Sequence, residues 1–261
     1  MYDLHSHILW GIDDDGPQTL NQSLRLAKIA AGEGIRAMVA TPHFMIDIAE
    51  FDIEDIEKRV QAFKAELHRQ GIQLDILPGA ELYLDRRLPD ILIKNRLTIA
   101  GTRYVLLELP MHELPDYTED LVKVFLSRDM VPIIAHPERN VAISQNPNLM
   151  YNLVNLGALG QLTAGSITGS FGRRLQGVAR ILIEHNMVHI LAGDAHSHTG
   201  RPPRMAKAAA VIEEMMGSRV RKAMTKEIPR LILSDARQIK VEPPVVYKGK
   251  KSIFDFFKSK K

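Results

Sequence analysis

Asp3-Leu4-His5-Ser6-His7 places two imidazoles at i and i+2 within the first seven residues. In a strand that spacing turns both rings to one face. Two neutral imidazoles side by side are the start of a divalent-metal site. Five later segments each deliver one or two more residues of ligand type: Thr41-Pro42-His43, Pro78-Gly79-Ala80-Glu81, Leu106-Leu107-Glu108, Ala135-His136-Pro137-Glu138-Arg139 and Gly193-Asp194-Ala195-His196. A lone His-x-His is weak evidence, because histidines are readily satisfied in a core. Six segments that each carry His, Asp or Glu at the end of an apolar run point to one shared site. Imidazole and carboxylate without sulfur suit Mn, Fe, Zn or Co. A bridging glutamate lets two such cations sit about 3.5–4 Å apart and share a water, which loses a proton near neutral pH. The chain contains no cysteine, which excludes a thiolate nucleophile, thiolate zinc sites and disulfides.

These residues need elements that bring them together. Strand-like runs fall at residues 2–7, 37–41, 74–79, 104–108, 131–135, 159–163 and 188–192. Most are short, apolar and partly β-branched, as strands buried on both faces are. Between them, Leu20, Leu24, Ala27 and Ala31 step along one helical face, and so do Ile53, Ile56, Val60, Phe63 and Leu67. Further helices are predicted around Leu121, Val124 and Phe125, around Ile181, Leu182 and His185, and from Met205 to Met216. About seven alternations of strand and helix predict an α/β parallel barrel. The ligand-type residues fall at the C-terminal strand ends, where barrels place their chemistry.

With 261 residues the chain is an ordinary length for one such barrel and buries a core without staples. The absence of cysteine, of any apolar run of about 18 residues and of a basic leader predicts a cytoplasmic protein. The net charge of +3 is uneven: residues 247–261 hold six lysines and one aspartate, which leaves the rest near −2 (28 Lys and Arg against 30 Asp and Glu). A near-neutral body speaks against a nucleic-acid partner. We therefore divide the chain into a barrel, 1–242, and a basic tail, 243–261, that begins at Pro243-Pro244. Ile253, Phe254, Phe256 and Phe257 interleave with the tail's lysines. That pattern fits either peripheral contact with anionic membrane or a partner, or a solvated end.

Five segments make the chain recognisable. They are Asp3-Leu4-His5-Ser6-His7 with its continuation to Asp13-Asp14-Asp15-Gly16, Ala40-Thr41-Pro42-His43, Ile134-Ala135-His136-Pro137-Glu138-Arg139, the stretch from Gln161 to Gly172, and Gly193-Asp194-Ala195-His196 with Gly200-Arg201-Pro202-Pro203. With these the chain resembles the polymerase and histidinol phosphatase (PHP) superfamily, and within it the metal-dependent protein-tyrosine phosphatases of bacterial capsule and exopolysaccharide systems. The resemblance implies a distorted (β/α)7 barrel holding three divalent metal ions, with Mn foremost. Carried over, His5, His7, Glu81 and Asp194 hold one metal, Glu81, Glu108 and His136 a second, and His43, His196 and an acid before Gly16 the third. Similar proteins show two acids before that glycine and this chain shows three, so the ligand is Asp14 or Asp15, with a slight preference for Asp15.

Arg139 and Arg201 closely follow ligand motifs, and a guanidinium fork matches phosphate oxygens. The alternative for each is a surface ion pair. His198 is either an outer proton donor or a solvated loop histidine. Trp10 and Phe44 either flank a phenyl ring at the mouth or close the barrel rim. Thr163, Ser166 and Ser170 either position substrate or cap a helix. His68, His112, His185 and His189 lie outside the pattern. The resemblance implies phosphotyrosine proteins as substrates, with a tyrosine autokinase of polysaccharide export as the partner. A small phosphate ester such as histidinol phosphate is the alternative substrate, and a nuclease-like phosphoesterase or a scaffold without catalysis are further readings. The helix over 20–31 packs either on its own barrel or on a second copy in a homo-oligomer.

Overall fold

Two of the seven expected strands, 37–41 and 74–79, resume beyond Pro42 and Gly79 as short further strands, and the barrel is built around those breaks. The computed structural model describes residues 1–249. Its strands are β1 (Tyr2–Ser6), β2 (Ala37–Ala40), β3 (His43–Phe44), β4 (Asp75–Pro78), β5 (Glu81–Tyr83), β6 (Tyr104–Glu108), β7 (Val131–Ala135), β8 (Leu159–Thr163) and β9 (Ile190–Ala192). β2 and β3 are one path broken at Thr41-Pro42; β4 and β5 are one path broken at Gly79-Ala80. Proline has no N–H to continue a ladder. At Gly79 the backbone runs so near its neighbour that a Cβ would lie 2.7 Å from Val39 Cγ1.

Each break moves its path from one sheet to another. The first sheet has the order β1-β2-β4 and the second β3-β5-β6-β7-β8-β9, with every strand pair parallel. At the breaks, Thr41 N donates to Ser6 O at 2.8 Å and Glu81 N to Pro42 O at 3.0 Å; at the seam, Asp194 N donates to His5 O and His7 N to Ala195 O, both at 2.9 Å, and these two join the sheets. A parallel bridge between Ser6 and Ala195 completes the ring. The result is a distorted barrel of seven strand paths.

The helices are α1 (Leu20–Gly32), α2 (Ile53–Arg69), α3 (Leu88–Asn95), α4 (Thr118–Ser127), α5 (Val141–Gln145), α6 (Asn148–Leu156), α7 (Ala164–Ile167), α8 (Arg173–Glu184), α9 (Ala206–Lys222) and α10 (Ile228–Leu233). α1 begins with a capping box in which Thr19 and Gln22 satisfy each other's backbone N–H. It buries Leu26, Ala27 and Ala30 in the main core of its own barrel. α2 buries Ile56, Val60, Phe63 and Leu67, the expected stripe, with Glu54 and Asp55 in its first turn and His68 and Arg69 in its last, each favourable to the helix dipole. A second cluster joins Leu4, Val39, Leu106, Ile133, Leu159 and Ile190 of the strands to Ile228 and Ile232 of α10. Beyond α10, Asp235 holds Arg103 just ahead of β6, and Ala236 O accepts the Tyr104 hydroxyl at 2.6 Å. Among the described residues no helix is long and apolar enough to cross a membrane.

The chain does not leave the barrel at Glu242. Asn186 Nδ2 donates to Pro243 O, Val245 N to His185 O at 2.9 Å, and Tyr247 N to Asn148 Oδ1 at 2.8 Å, while the Tyr247 ring meets His185 edge-on. Residues 243–247 thus strap α6 to the end of α8, because Val245 and Tyr247 offer backbone groups and a ring that Pro243-Pro244 alone would not suggest. The aromatic-basic pattern of the tail, residues 250–261, lies outside the described residues.

Gly160 in β8 shows how tightly the ring is closed. A Cβ there would sit 2.4 Å from Met187 O and 2.9 Å from Met150 Cε. Met187 O is backbone and cannot swing away. Overpacking of this kind costs about 1–3 kcal/mol, occasionally more. Gly160→Ala is therefore expected to lower the thermal midpoint by several degrees, as read by circular dichroism.

Candidate metal centre

His5 and His7, from β1 and the residue after it, point their Nε2 atoms at each other at 3.3 Å. Their Nδ1 atoms are already committed. His5 Nδ1 donates to Gln161 Oε1 and His7 Nδ1 to Asp13 Oδ2, both at 2.9 Å. Both Nε2 atoms therefore turn lone pairs inward, an arrangement that a shared cation or proton resolves. β5 brings Glu81 to the same point. Its buried Oε2 lies 3.1 Å from His5 Nε2, 3.2 Å from His7 Nε2 and 3.2 Å from His43 Nδ1, without a hydrogen bond of acceptable geometry. Oε1 accepts from His136 Nε2 at 2.9 Å. Glu108, at the end of β6, stands 3.7 Å from His43 Nδ1 and 3.8 Å from His136 Nε2. The His196 ring lies on that of His7 with centroids 3.9 Å apart.

Three groups of these residues bring ligand atoms within 4.8 Å of one another: His5, His7 and Glu81; His43, Glu81 and Glu108; and His7, His43 and His196. All are nitrogen and oxygen donors, most are buried, and their lone pairs converge. The donor set fits divalent cations.

Of the acids before Gly16, the structure brings Asp15 to the cluster. Asp15 Oδ2 is 3.2 Å from His196 Nε2. Asp14 lines the same open cavity as Asp15 and His43, but its carboxylate is not paired with any of the histidines, whereas that of Asp15 is. Asp13 has a different part: besides orienting His7, its Oδ1 accepts the His43 backbone N–H at 2.9 Å. The three-acid run is accommodated in a turn closed by the Gly16 N–H on Asp13 O, with Asp14 and Asp15 as its two central residues and Asp15 facing His196.

Asp194 ties this cluster to both arginines. Oδ1 lies 3.5 Å from His5 Nε2 and from His196 Nδ1, while Oδ2 accepts from Arg139 Nη1 and from Arg201 Nη2, each at 2.7 Å. Both guanidiniums are therefore held at the site and not on the distant surface. His198 is placed elsewhere. Ser197 Oγ accepts the N–H groups of Gly200 and Arg201, and at the corner of that turn His198 Nε2 meets Arg25 Nη1 of α1 at 3.3 Å, outside the cluster. Phe44 is buried against Phe51, and Trp10 packs on Phe63 of α2, so both close the rim. Ser170 Oγ bonds Thr168 Oγ1, and the Thr163 N–H donates to buried Glu138. His68 and His112 are exposed and His189 is buried, its pKa pressed to about 4 by burial.

Charge is shared closely here. Burial alone would raise Glu81, but His5, His136 and His7 hold it well below the carboxylate range. Asp194 is likewise held far down against its burial by His5, His136 and Arg201. Glu108 goes the other way, pushed up to about 7 by burial and by the Glu81 charge. Asp15 is drawn to about 2 by its hydrogen bond to His196.

Comparison with known proteins follows the same lines. Residues 1–234 match the family model described as capsular polysaccharide synthesis, CpsB/CapC. The chain belongs to the CpsB/CapC family. The tyrosine-protein phosphatase YwqE of Bacillus subtilis (strain 168) is 33% identical over 258 residues, covering 98% of this chain and 100% of YwqE. The tyrosine-protein phosphatase CpsB of Streptococcus agalactiae is 30% identical over 218 residues, covering 81% and 89%. A crystal structure from a study of YwqE of Bacillus subtilis and CpsB of Streptococcus pneumoniae, described as unique metal-dependent tyrosine phosphatases, superposes with TM-score 0.91 at 34% identity and covers 95% of this chain and 100% of that one. The histidinol phosphate phosphatase of Lactococcus lactis shares the fold at TM-score 0.51 and 12% identity, covering 82% and 92%.

Two contributors escaped the ligand pattern in the sequence. Gln161 sits within a strand, and its contacts with His5 and with the His136 backbone N–H give it a part. Phe171 lies on a loop with no apolar periodicity, yet its ring centroid is 5.8 Å from Arg139 Cζ. The three acids give a direct test. Asp15→Ala is expected to lower metal affinity, Asp13→Ala to lower it about 10–100-fold through misoriented His7 and His43, and Asp14→Ala to leave it unchanged. Metal retained after dialysis, measured by plasma mass spectrometry, checks all three.

Proposed function

We propose that this CpsB/CapC protein is a metal-dependent phosphatase that hydrolyses phosphotyrosine in proteins. One observation carries the reading: two guanidiniums converge on a single Asp194 oxygen beside a buried His and carboxylate cluster. The close relatives named tyrosine-protein phosphatases support the substrate class. Three divalent ions, Mn foremost, suit the three groups of nitrogen and oxygen donors. His5, His7, Glu81 and Asp194 would hold one, Glu81, Glu108 and His136 a second, and His43, His196 and Asp15 the third. When bound, such ions supply Lewis acidity and make water a nucleophile near neutral pH.

The chain's own groups do the rest. Arg139 and Arg201 each give one amino group to Asp194 and keep further donors for phosphate oxygens. Two cations on one carboxylate leave one positive charge for a phosphate dianion. Gln161 and Asp13 fix which ring nitrogens of His5 and His7 face inward. The phenolate leaving group has a pKa of about 10, so strong general-acid help is not obligatory. That suits a site where His198 is turned away. The natural substrate is a tyrosine autokinase of polysaccharide export, and the protein works in the cytoplasm.

The test compares phosphotyrosine peptide, histidinol phosphate and single-stranded DNA as substrates of the metal-loaded enzyme. Phosphotyrosine is expected to turn over fastest, and prolonged chelation to abolish that turnover. Arg139→Lys and Arg201→Lys keep charge but lose the planar fork. Each is expected to lower kcat/KM about 10–100-fold, the scale of a charge-assisted contact of roughly 1.5–3 kcal/mol. Full turnover by chelated protein, or wild-type kinetics in both lysine variants, would overturn the reading.

A further inference from the structure

The segment between β8 and α8 carries an aromatic ring to the arginine clamp, and several features hold it there. After α7 the chain turns through Gly169 and Gly172, at φ of 81° and 97°. Ser170 N donates to Gly165 O at 2.9 Å and Gly172 N to Gly169 O at 3.0 Å. Gln176 Nε2 reaches back to Ile167 O at 3.1 Å. The turn is thus braced from both sides.

Phe171, at its end, folds over Gly165. A Cβ on Gly165 would lie 2.7 Å from both Cε2 and Cζ of the ring, closer than real Cβ contacts come. Position 165 must be glycine for the ring to rest where it does. Phe171 is only partly buried, and its centroid stands 5.8 Å from Arg139 Cζ. Trp10 and Phe44, by contrast, are spent on packing against Phe63 and Phe51.

A phosphate monoester held by Arg139 carries its organic group one ester oxygen away from the phosphorus. For phosphotyrosine that group is a phenyl ring, and two aromatic rings attract edge-to-face or offset at centroid separations of roughly 4.5–7 Å. An alkyl ester has no face or edge to offer. We propose that Phe171 is the specificity-determining residue of this site: its ring packs against the substrate's phenyl ring and selects aryl over alkyl phosphate esters. This rests on the phosphatase reading above and names how its substrate class is recognised.

The test uses full-length, metal-loaded Phe171→Ala and Phe171→Leu enzyme, with phenylphosphonate and inorganic phosphate as competitive inhibitors and a phosphotyrosine peptide as substrate. Phe171→Ala is expected to raise the peptide KM and the phenylphosphonate inhibition constant about fivefold to tenfold, the upper part of the span of one aromatic pair. The inorganic phosphate constant is expected to stay within about twofold of wild type. Phe171→Leu fills the space without the ring and is expected to fall between. Equal weakening of both inhibitors would make Phe171 a mere support for Arg139 and overturn the proposal, and so would no change in either. Both ligands are also titrated calorimetrically onto wild type and variants, and the ratio of the two dissociation constants so obtained needs no turnover. A wild-type enzyme that fails to hydrolyse the peptide would therefore strike the functional reading, while an unaltered ratio would strike this proposal alone.

Discussion

One carboxylate oxygen, Glu81 Oε2, has three imidazole nitrogens within 3.2 Å of it, and much of the barrel serves to make that possible. A buried carboxylate costs several kcal/mol unless cationic neighbours and good geometry compensate. Here the partners come from β1, β3 and the end of β7, elements far apart in sequence. Had β4 run straight through Gly79, its pairing with β2 would have continued and Glu81 would not have entered the second sheet beside His43. In the observed register His43 pairs with Glu81, and Glu81 with Leu106. The two strand breaks are thus a requirement of the site, and the imperfect barrel is its consequence.

The backbone is strained at two of the same points. His136 has φ of 31° and Asp194 φ of 50°. Such angles cost a non-glycine residue of order 1–3 kcal/mol and persist where the surroundings over-determine them. Both residues directly or closely follow a strand. His136 is then fixed by Glu81 and by its backbone N–H on Gln161 Oε1, and Asp194 by the His5 carbonyl and two arginines. Asp3 adds a further tie: its buried Oδ1 accepts the Gly193 N–H at 2.9 Å and pins β1 to the turn that carries Asp194.

Much of this could be read from residue types and spacing. Ligand-type residues at the ends of apolar runs gave the site away because a parallel barrel gathers its C-terminal strand ends into one place. The five long amphipathic helices were equally plain. The breaks were not, because β3 and β5 are two and three residues long and carry no periodicity of their own. α3, α5, α6, α7 and α10 are short, and their stripes span too few turns to stand out. The choice between Asp14 and Asp15 could not follow from spacing, since an extra residue in a loop shifts both counts; the contact with His196 decides placement. Trp10 and Phe44 drew notice by adjacency to ligand motifs, but adjacency in sequence at a strand end does not fix which way a ring turns.

Asp194 shows why the clamp and the cluster cannot be treated as separate parts. Its two oxygens face opposite ways, one to His5 and His196 and one to Arg139 and Arg201. A carboxylate so shared holds both guanidiniums in a fixed fork before any anion arrives, which reduces the side-chain entropy that binding must take away. It also limits how strongly the arginines can hold a phosphate, because each has already given one donor to Asp194. The same carboxylate, held ionised by its histidine and arginine neighbours, thus places the two guanidiniums and the histidine cluster on one shared charge.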